Sequence, residues 1–135
     1  FADTFYYLAL VNQNDAAHRE AVAISESLTA ATVTTAWVLT ELGDAMASPT
    51  QRPSFLRTLT AIRSNPHCTI VPPDETLFNE GLRVFADRPD KHWSLTDCIS
   101  FVVMRDRGVT NALTGDHHFQ QAGFTALLAE SSPPR

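Results

Sequence analysis

The chain has 135 residues, 44% of them hydrophobic and 19% charged, with 5 Gly and 8 Pro, which is enough apolar material for one core, too little for two, and unlike a disordered composition. Its formal net charge is −5, with nine Arg and a single Lys, Lys91, a balance that excludes a protein coating nucleic acid through unspecific charge. No apolar run reaches the roughly 18 residues of a membrane span, and the start Phe1-Ala2-Asp3-Thr4 has no secretory-signal pattern, so a cytoplasmic protein is expected, with Cys68 and Cys98 as reduced small core residues.

Taken in chain order, Phe1-Ala2-Asp3 reads as the end of a first strand, most of which is absent from the sequence. Ala17, Ala21, Ile24 and Leu28 recur at helical spacing, and the β-branched run Thr32 to Thr35 follows as a strand. Val38, Leu39, Leu42, Ala45 and Met46 predict a helix stopped near Ser48-Pro49; Phe55, Leu56, Leu59 and Ile62 predict its hairpin partner, opened by Pro53 and ended before Pro66. Arg52, Arg57 and Arg63 then fall on the solvent side. Cys68 to Val71 is the next strand, and Asp74 caps a helix carrying Leu77, Phe78, Leu82 and Phe85. From Ser94 an apolar helix runs to Gly108, Val109 to Thr114 forms a strand, a short helix surrounds Phe119, and Phe124 to Leu128 is the last strand. Residues 1–130 are expected as one domain and 131–135 as a frayed tail. Helices alternating with strands through short connections predict an α/β sandwich on a mostly parallel sheet.

Open sheets of this kind bind ligands beyond the carboxyl ends of their strands. Asp3 and Asp116 stand directly after predicted strands, Asp97 lies in the first turn of the Ser94 helix, and Glu41 lies one to two turns into the helix after Thr35. If these acids converge, each pair about 4 Å apart repels by roughly 4 kcal/mol at an effective dielectric near 20. Protonation relieves that repulsion, but a hard divalent cation relieves it better, and oxygen-only ligands suit Mg²⁺ or Mn²⁺ over zinc. Carboxylates holding such ions serve phosphodiester hydrolysis.

Other readings compete at each position. Ser94-Leu95-Thr96-Asp97 fits a capping box, Asp116 fits an N-cap of the Phe119 helix, and Asp3 fits a turn. Glu41 fits an exposed helix face. His117 and His118, adjacent at a helix start, read as surface histidines, and Tyr6, Tyr7 and Trp93 as core or interface aromatics.

The segments Asp3-Thr4, Thr35-Ala36-Trp37-Val38-Leu39-Thr40-Glu41-Leu42, Trp93-Ser94-Leu95-Thr96-Asp97-Cys98-Ile99-Ser100-Phe101 and Ala112-Leu113-Thr114-Gly115-Asp116-His117-His118-Phe119, with Gly123-Phe124, occur in an order and spacing that resembles the PIN-domain ribonucleases, particularly the VapC-like toxins of toxin-antitoxin pairs. The resemblance covers nearly the whole chain. It implies a three-layer sandwich on a parallel sheet of about five strands and a Mg²⁺ or Mn²⁺ site made by Asp3, Glu41, Asp97 and Asp116. Thr4, Ser94 and Thr114 are then the supporting hydroxyls. It further implies cleavage of RNA by an activated water, a homodimer, and an antitoxin whose basic segment blocks the acidic crevice. Two alternatives remain at this stage. One is a PIN-like interaction module without catalysis. The other is an aspartate-nucleophile phosphohydrolase built on Asp3-Thr4, a reading weakened because its required Lys can only be Lys91, in a loop after Arg88-Pro89-Asp90.

Overall fold

The computed structural model describes residues 1–128, and the expected 131–135 tail lies outside them. In chain order the elements are α1 (Thr4–Val11), α2 (His18–Ser27), β1 (Thr32–Thr35), α3 (Ala36–Ala45), α4 (Arg52–Ser64), β2 (Cys68–Val71), α5 (Glu75–Asp87), α6 (Leu95–Asp106), β3 (Asn111–Ala112), α7 (His117–Gln121) and β4 (Thr125–Ala126). Every helix read from periodicity is present, and side chains cap their starts, at Asp74 and Asp116 as predicted and at Thr35 in addition. Thr35 accepts from the Val38 amide at 3.1 Å, Asp74 from that of Leu77 at 3.1 Å, and Asp116 from that of His118 at 2.9 Å. At the far end of α6, Gly108 takes a φ of 65°, which lets the Val109 amide reach back to Met104 O at 2.9 Å and ends the helix.

The sheet differs from expectation. Instead of five continuous strands there are two parallel pairs, β1 with β2 in the register Thr32 to Cys68 through Thr35 to Val71, and β3 with β4 through Asn111 to Thr125 and Ala112 to Ala126. Phe1–Asp3 joins them without forming a strand of its own. The Ala2 amide donates to Val33 O at 2.8 Å, the Leu113 amide donates to Phe1 O at 2.7 Å, and Ala2 makes an isolated parallel bridge with Leu113. The Val109 to Thr114 strand is shorter than predicted because the Thr114 amide turns back onto Ala112 O at 3.0 Å and leaves the ladder. The last strand is likewise reduced to two residues, Thr125 and Ala126.

The center of the core is α6, buried from Asp97 through Met104. Its Phe101 ring meets Trp93 and Phe119 edge-on, each at 5.0 Å between centroids, the geometry aromatic pairs prefer. That cluster pins α7 against the first turn of α6, and the Trp93 indole N–H strengthens the join by donating to Gln121 Oε1 at 3.0 Å. On its other side α6 packs closely on α5. A Cβ on Gly81 would stand 2.3 Å from Ile99 Cγ1, so only glycine permits this approach. Tyr6, Tyr7 and Trp93 are buried as expected, and Arg52, Arg57 and Arg63 are exposed. Cys98 is fully buried and Cys68 half-buried, both free thiols. Among the described residues no helix is long and apolar enough to cross a membrane.

Candidate active site

Asp3 stands where the first extended residues give way to α1, in the N-cap position, yet its side chain makes no cap. Its Oδ2 instead accepts the Thr114 hydroxyl at 2.9 Å, and the Thr4 amide also hydrogen-bonds the carboxylate. The same Thr114 oxygen accepts the Asp116 amide at 3.1 Å. One hydroxyl thus ties the acid of the first segment to the loop bearing the fourth.

Asp97 occupies the third position of α6 and completes a capping box: the Ser94 hydroxyl accepts the Asp97 amide and Asp97 Oδ2 accepts the Ser94 amide, both at 3.0 Å. Ser94 therefore holds the Asp97 carboxylate through its backbone, and its hydroxyl serves the helix end. The capping reading is correct for Asp97 and Asp116, but it does not exhaust their surroundings, because the charge of Asp116 also reaches Asp97. Glu41, expected on an exposed helix face, is half-buried, with Thr4 and Thr96 close enough to favour its charged form.

The titration behaviour shows that the four acids share one neighbourhood. Asp3, 4% exposed, is pushed up to about 7, first by burial and then by the charges of Asp97 and Glu41, while Thr114 partly offsets them. Glu41 is raised by burial and by Asp97 and Asp116. Asp97 is raised by burial and by Asp116, opposed by Ser94 and His118. Asp3 is thus within electrostatic reach of Asp97 and Glu41, Glu41 of Asp97 and Asp116, and Asp97 of Asp116. Of the three supporting hydroxyls, Thr114 touches a carboxylate directly, Ser94 acts at the backbone, and Thr4 Oγ1 is buried beside Glu41 without completing a regular hydrogen bond. The Thr4 hydroxyl is an orphaned buried polar atom beside Glu41, and an all-oxygen set of Asp3, Glu41, Asp97 and Asp116 would suit Mg²⁺ or Mn²⁺.

His118 was missed. It was expected at the surface, but its side chain is only 18% exposed, with Nδ1 3.0 Å from Asp97 Oδ2 and 3.4 Å from Asp116 Oδ1. His117, 70% exposed, does lie at the surface as expected. The sequence signal was the position of His118 two residues after a capping acid. What it lacked was the knowledge that the first turn of α6 lies across the start of α7. Ligand atoms of Asp116, His117 and His118 come within 4.8 Å of one another, but His118 Nδ1 is already engaged by Asp97. Lys91, the base an aspartate-nucleophile enzyme would need, lies 3.8 Å from Asp90 in the α5–α6 loop.

No family model and no curated protein matches the chain. Among solved structures it is similar to VapC20 of Mycobacterium tuberculosis, a sarcin-ricin loop cleaving toxin, with a TM-score of 0.86 and 26% identity over 94% of this chain and 97% of that one. The likeness spans both chains almost completely, and it is to the family that the motifs resemble: the chain has a fold similar to that of a VapC toxin.

Proposed function

We propose that the chain is a Mg²⁺- or Mn²⁺-dependent endoribonuclease and the toxin of a toxin-antitoxin pair. The observation carrying this reading is the nearness of the acids: besides burial, Asp3 is raised by the charges of Asp97 and Glu41, Glu41 by those of Asp97 and Asp116, and Asp97 by that of Asp116. Such clustering is costly unless a cation offsets it. The likeness to an RNA-cleaving toxin supports RNA as the polymer.

In this reading Asp3 and Asp97 are the principal ligands of the ion, and Glu41 and Asp116 complete its shell. Bound there, the ion supplies Lewis-acid neutralisation of charge developing at the phosphate and at the leaving oxygen. The chain's own residues do the rest. Thr114 holds the Asp3 carboxylate in a single orientation, and the capping box does the same for Asp97. Glu41, half-buried at the rim, orients the attacking water and receives its proton. The −5 charge means that RNA is attracted by the loaded site and by local arginines rather than by the surface as a whole. The same acidity favours an antitoxin that inserts a guanidinium among the carboxylates. A homodimer has a surface available on α5, where Phe78, Leu82 and Phe85 are exposed at helical spacing.

The deciding experiment is cleavage of a ribosomal RNA fragment by the wild-type chain and by Asp97→Ala. Mg²⁺-dependent cleavage by the first and none by the second, with both folded, is expected. Undiminished cleavage by Asp97→Ala overturns the mechanism, and a wild-type chain that binds no Mn²⁺ favours the non-catalytic interaction module.

A further inference from the structure

The ring of contacts around Asp97 contains a group that the four acids do not account for. Asp97 Oδ2 accepts from two sides at once, from the Ser94 amide at 3.0 Å and from His118 Nδ1 at 3.0 Å. With Asp97 ionised its carboxylate only accepts, and Nδ1 is then the donor in this contact. With Oδ2 committed twice, Oδ1 is the Asp97 oxygen that makes no hydrogen bond among the described residues.

His118 is itself held in place. Its backbone amide donates to Asp116 Oδ1 at 2.9 Å, the next residue, Phe119, is fully buried against Phe101, and Gln121 of the same short helix takes the Trp93 indole. The ring therefore reaches Asp97 from a fixed platform. The Nδ1 to Asp116 distance, 3.4 Å against 3.0 Å, makes Asp97 the better partner.

The geometry points to His118 as a positioning residue that locks the Asp97 carboxylate by Oδ2, leaving Oδ1 as the oxygen that would be offered to a cation. The role rests on the metal-dependent reading above and adds to it a residue outside the four acids. Partners that orient a ligating carboxylate are worth about 10- to 100-fold in metal affinity. His118 acts through Asp97 and needs no contact with RNA.

The test compares His118→Asn, whose amide nitrogen stands near the place of Nδ1, with His118→Gln, whose amide stands near that of Nε2, and with His118→Leu, which has no donor. Mn²⁺ binding is titrated without RNA by electron paramagnetic resonance, alongside kcat and KM for the RNA fragment and thermal melting. Expected are Mn²⁺ affinities within about threefold of wild type for Asn and weaker by about tenfold or more for Gln and Leu, with kcat falling in step and KM for RNA unchanged. Affinity in His118→Leu equal to wild type, or Gln as good as Asn, overturns the assignment while leaving the four-acid site standing. If Leu fails to fold, the contrast between Asn and Gln decides alone. Should the wild-type chain bind no Mn²⁺, the metal reading itself fails and this role falls with it.

Discussion

The Thr114 hydroxyl donates to Asp3 Oδ2 at 2.9 Å across 111 positions of sequence, and accepts the Asp116 amide at 3.1 Å. This one oxygen sets the distance between the start of the chain and the loop before α7. Thr114→Val keeps the shape and removes both bonds. We expect it to cost about 1–3 kcal/mol, since a buried carboxylate oxygen loses its donor, and to weaken Mn²⁺ by about tenfold or more. Thr114→Ser should retain both properties. Urea unfolding and Mn²⁺ titration check the pair, and a valine variant as stable and as tight as wild type would remove the hydroxyl from the site.

The pH dependence of the metal-free chain follows from Asp3. Burial and the neighbouring charges push it up to about 7 from the ordinary 3.8, so between these values the folded state holds a proton that the unfolded chain releases. Stability is therefore fully present below about pH 4 and is lost as pH rises through 7, and the raised Glu41 and Asp97 act in the same direction. The loss is on the order of a few kcal/mol. Asp3→Asn should flatten the profile and make the metal-free protein more stable at pH 8. Mn²⁺ should reverse the trend, because it binds the deprotonated ligands. Denaturant midpoints from pH 5 to 8, with and without Mn²⁺, provide the check; a metal-free chain that gains stability over that range contradicts the prediction.

Asp97 is both an acid of the site and half of a capping box, and the two roles separate by substitution. Ser94→Ala loses the hydroxyl cap at a cost of about 0.5–2 kcal/mol but keeps the backbone amide that holds Asp97 Oδ2. Its RNA cleavage should remain within a small factor of wild type below its melting temperature. Asp97→Asn should cost little more in stability and abolish cleavage. Equal activity in these two variants would show that Asp97 serves the helix end only.

Gly81 lies where a Cβ would stand 2.3 Å from Ile99 Cγ1 and 3.1 Å from the Ile99 backbone. Gly81→Ala should therefore separate α5 from α6 and destabilise by about 1–3 kcal/mol, despite the better helix propensity of alanine. Ile99→Ala in the same chain should recover part of that loss, and a double-mutant cycle measures how much. Additive effects would mean that the backbone contact, rather than the Ile99 side chain, sets the limit.

Phe78, Leu82 and Phe85 on α5 are 38%, 42% and 47% exposed. If this stripe is the face of the proposed homodimer, Leu82→Glu should convert the dimer to monomer without lowering the melting temperature of the subunit appreciably. Light scattering after size exclusion reads this directly, and a dimer indifferent to the charge would place the interface elsewhere.

The helices were legible because their signals are local. The helical spacing of Phe78, Leu82 and Phe85, Asp74 before a helix and Gly108 after one each depend on a few neighbouring residues. The strands were less so. Val109 to Thr114 reads as six extended residues, but only Asn111–Ala112 pair with β4, because pairing is decided by distant partners. The four acids could be singled out because Asp3 and Asp116 stand directly after extended segments and all four lie within motifs whose order resembles a family. His118 was not found, since adjacency to His117 said nothing of which neighbour its ring would meet.

Composition, periodicity and motif order in this chain were enough by themselves to indicate an α/β fold, the places of its helices and the acids at residues 3, 41, 97 and 116 as candidates. Only the tertiary structure decided which atoms of those acids are tied and which are left for a ligand. Thr114 takes Asp3 Oδ2, and Ser94 with His118 takes Asp97 Oδ2. The physical reason is that a hydrogen bond requires an approach of about 3 Å and a particular direction, and for residues separated by tens of positions both are set by how α6, α7 and the first residues pack.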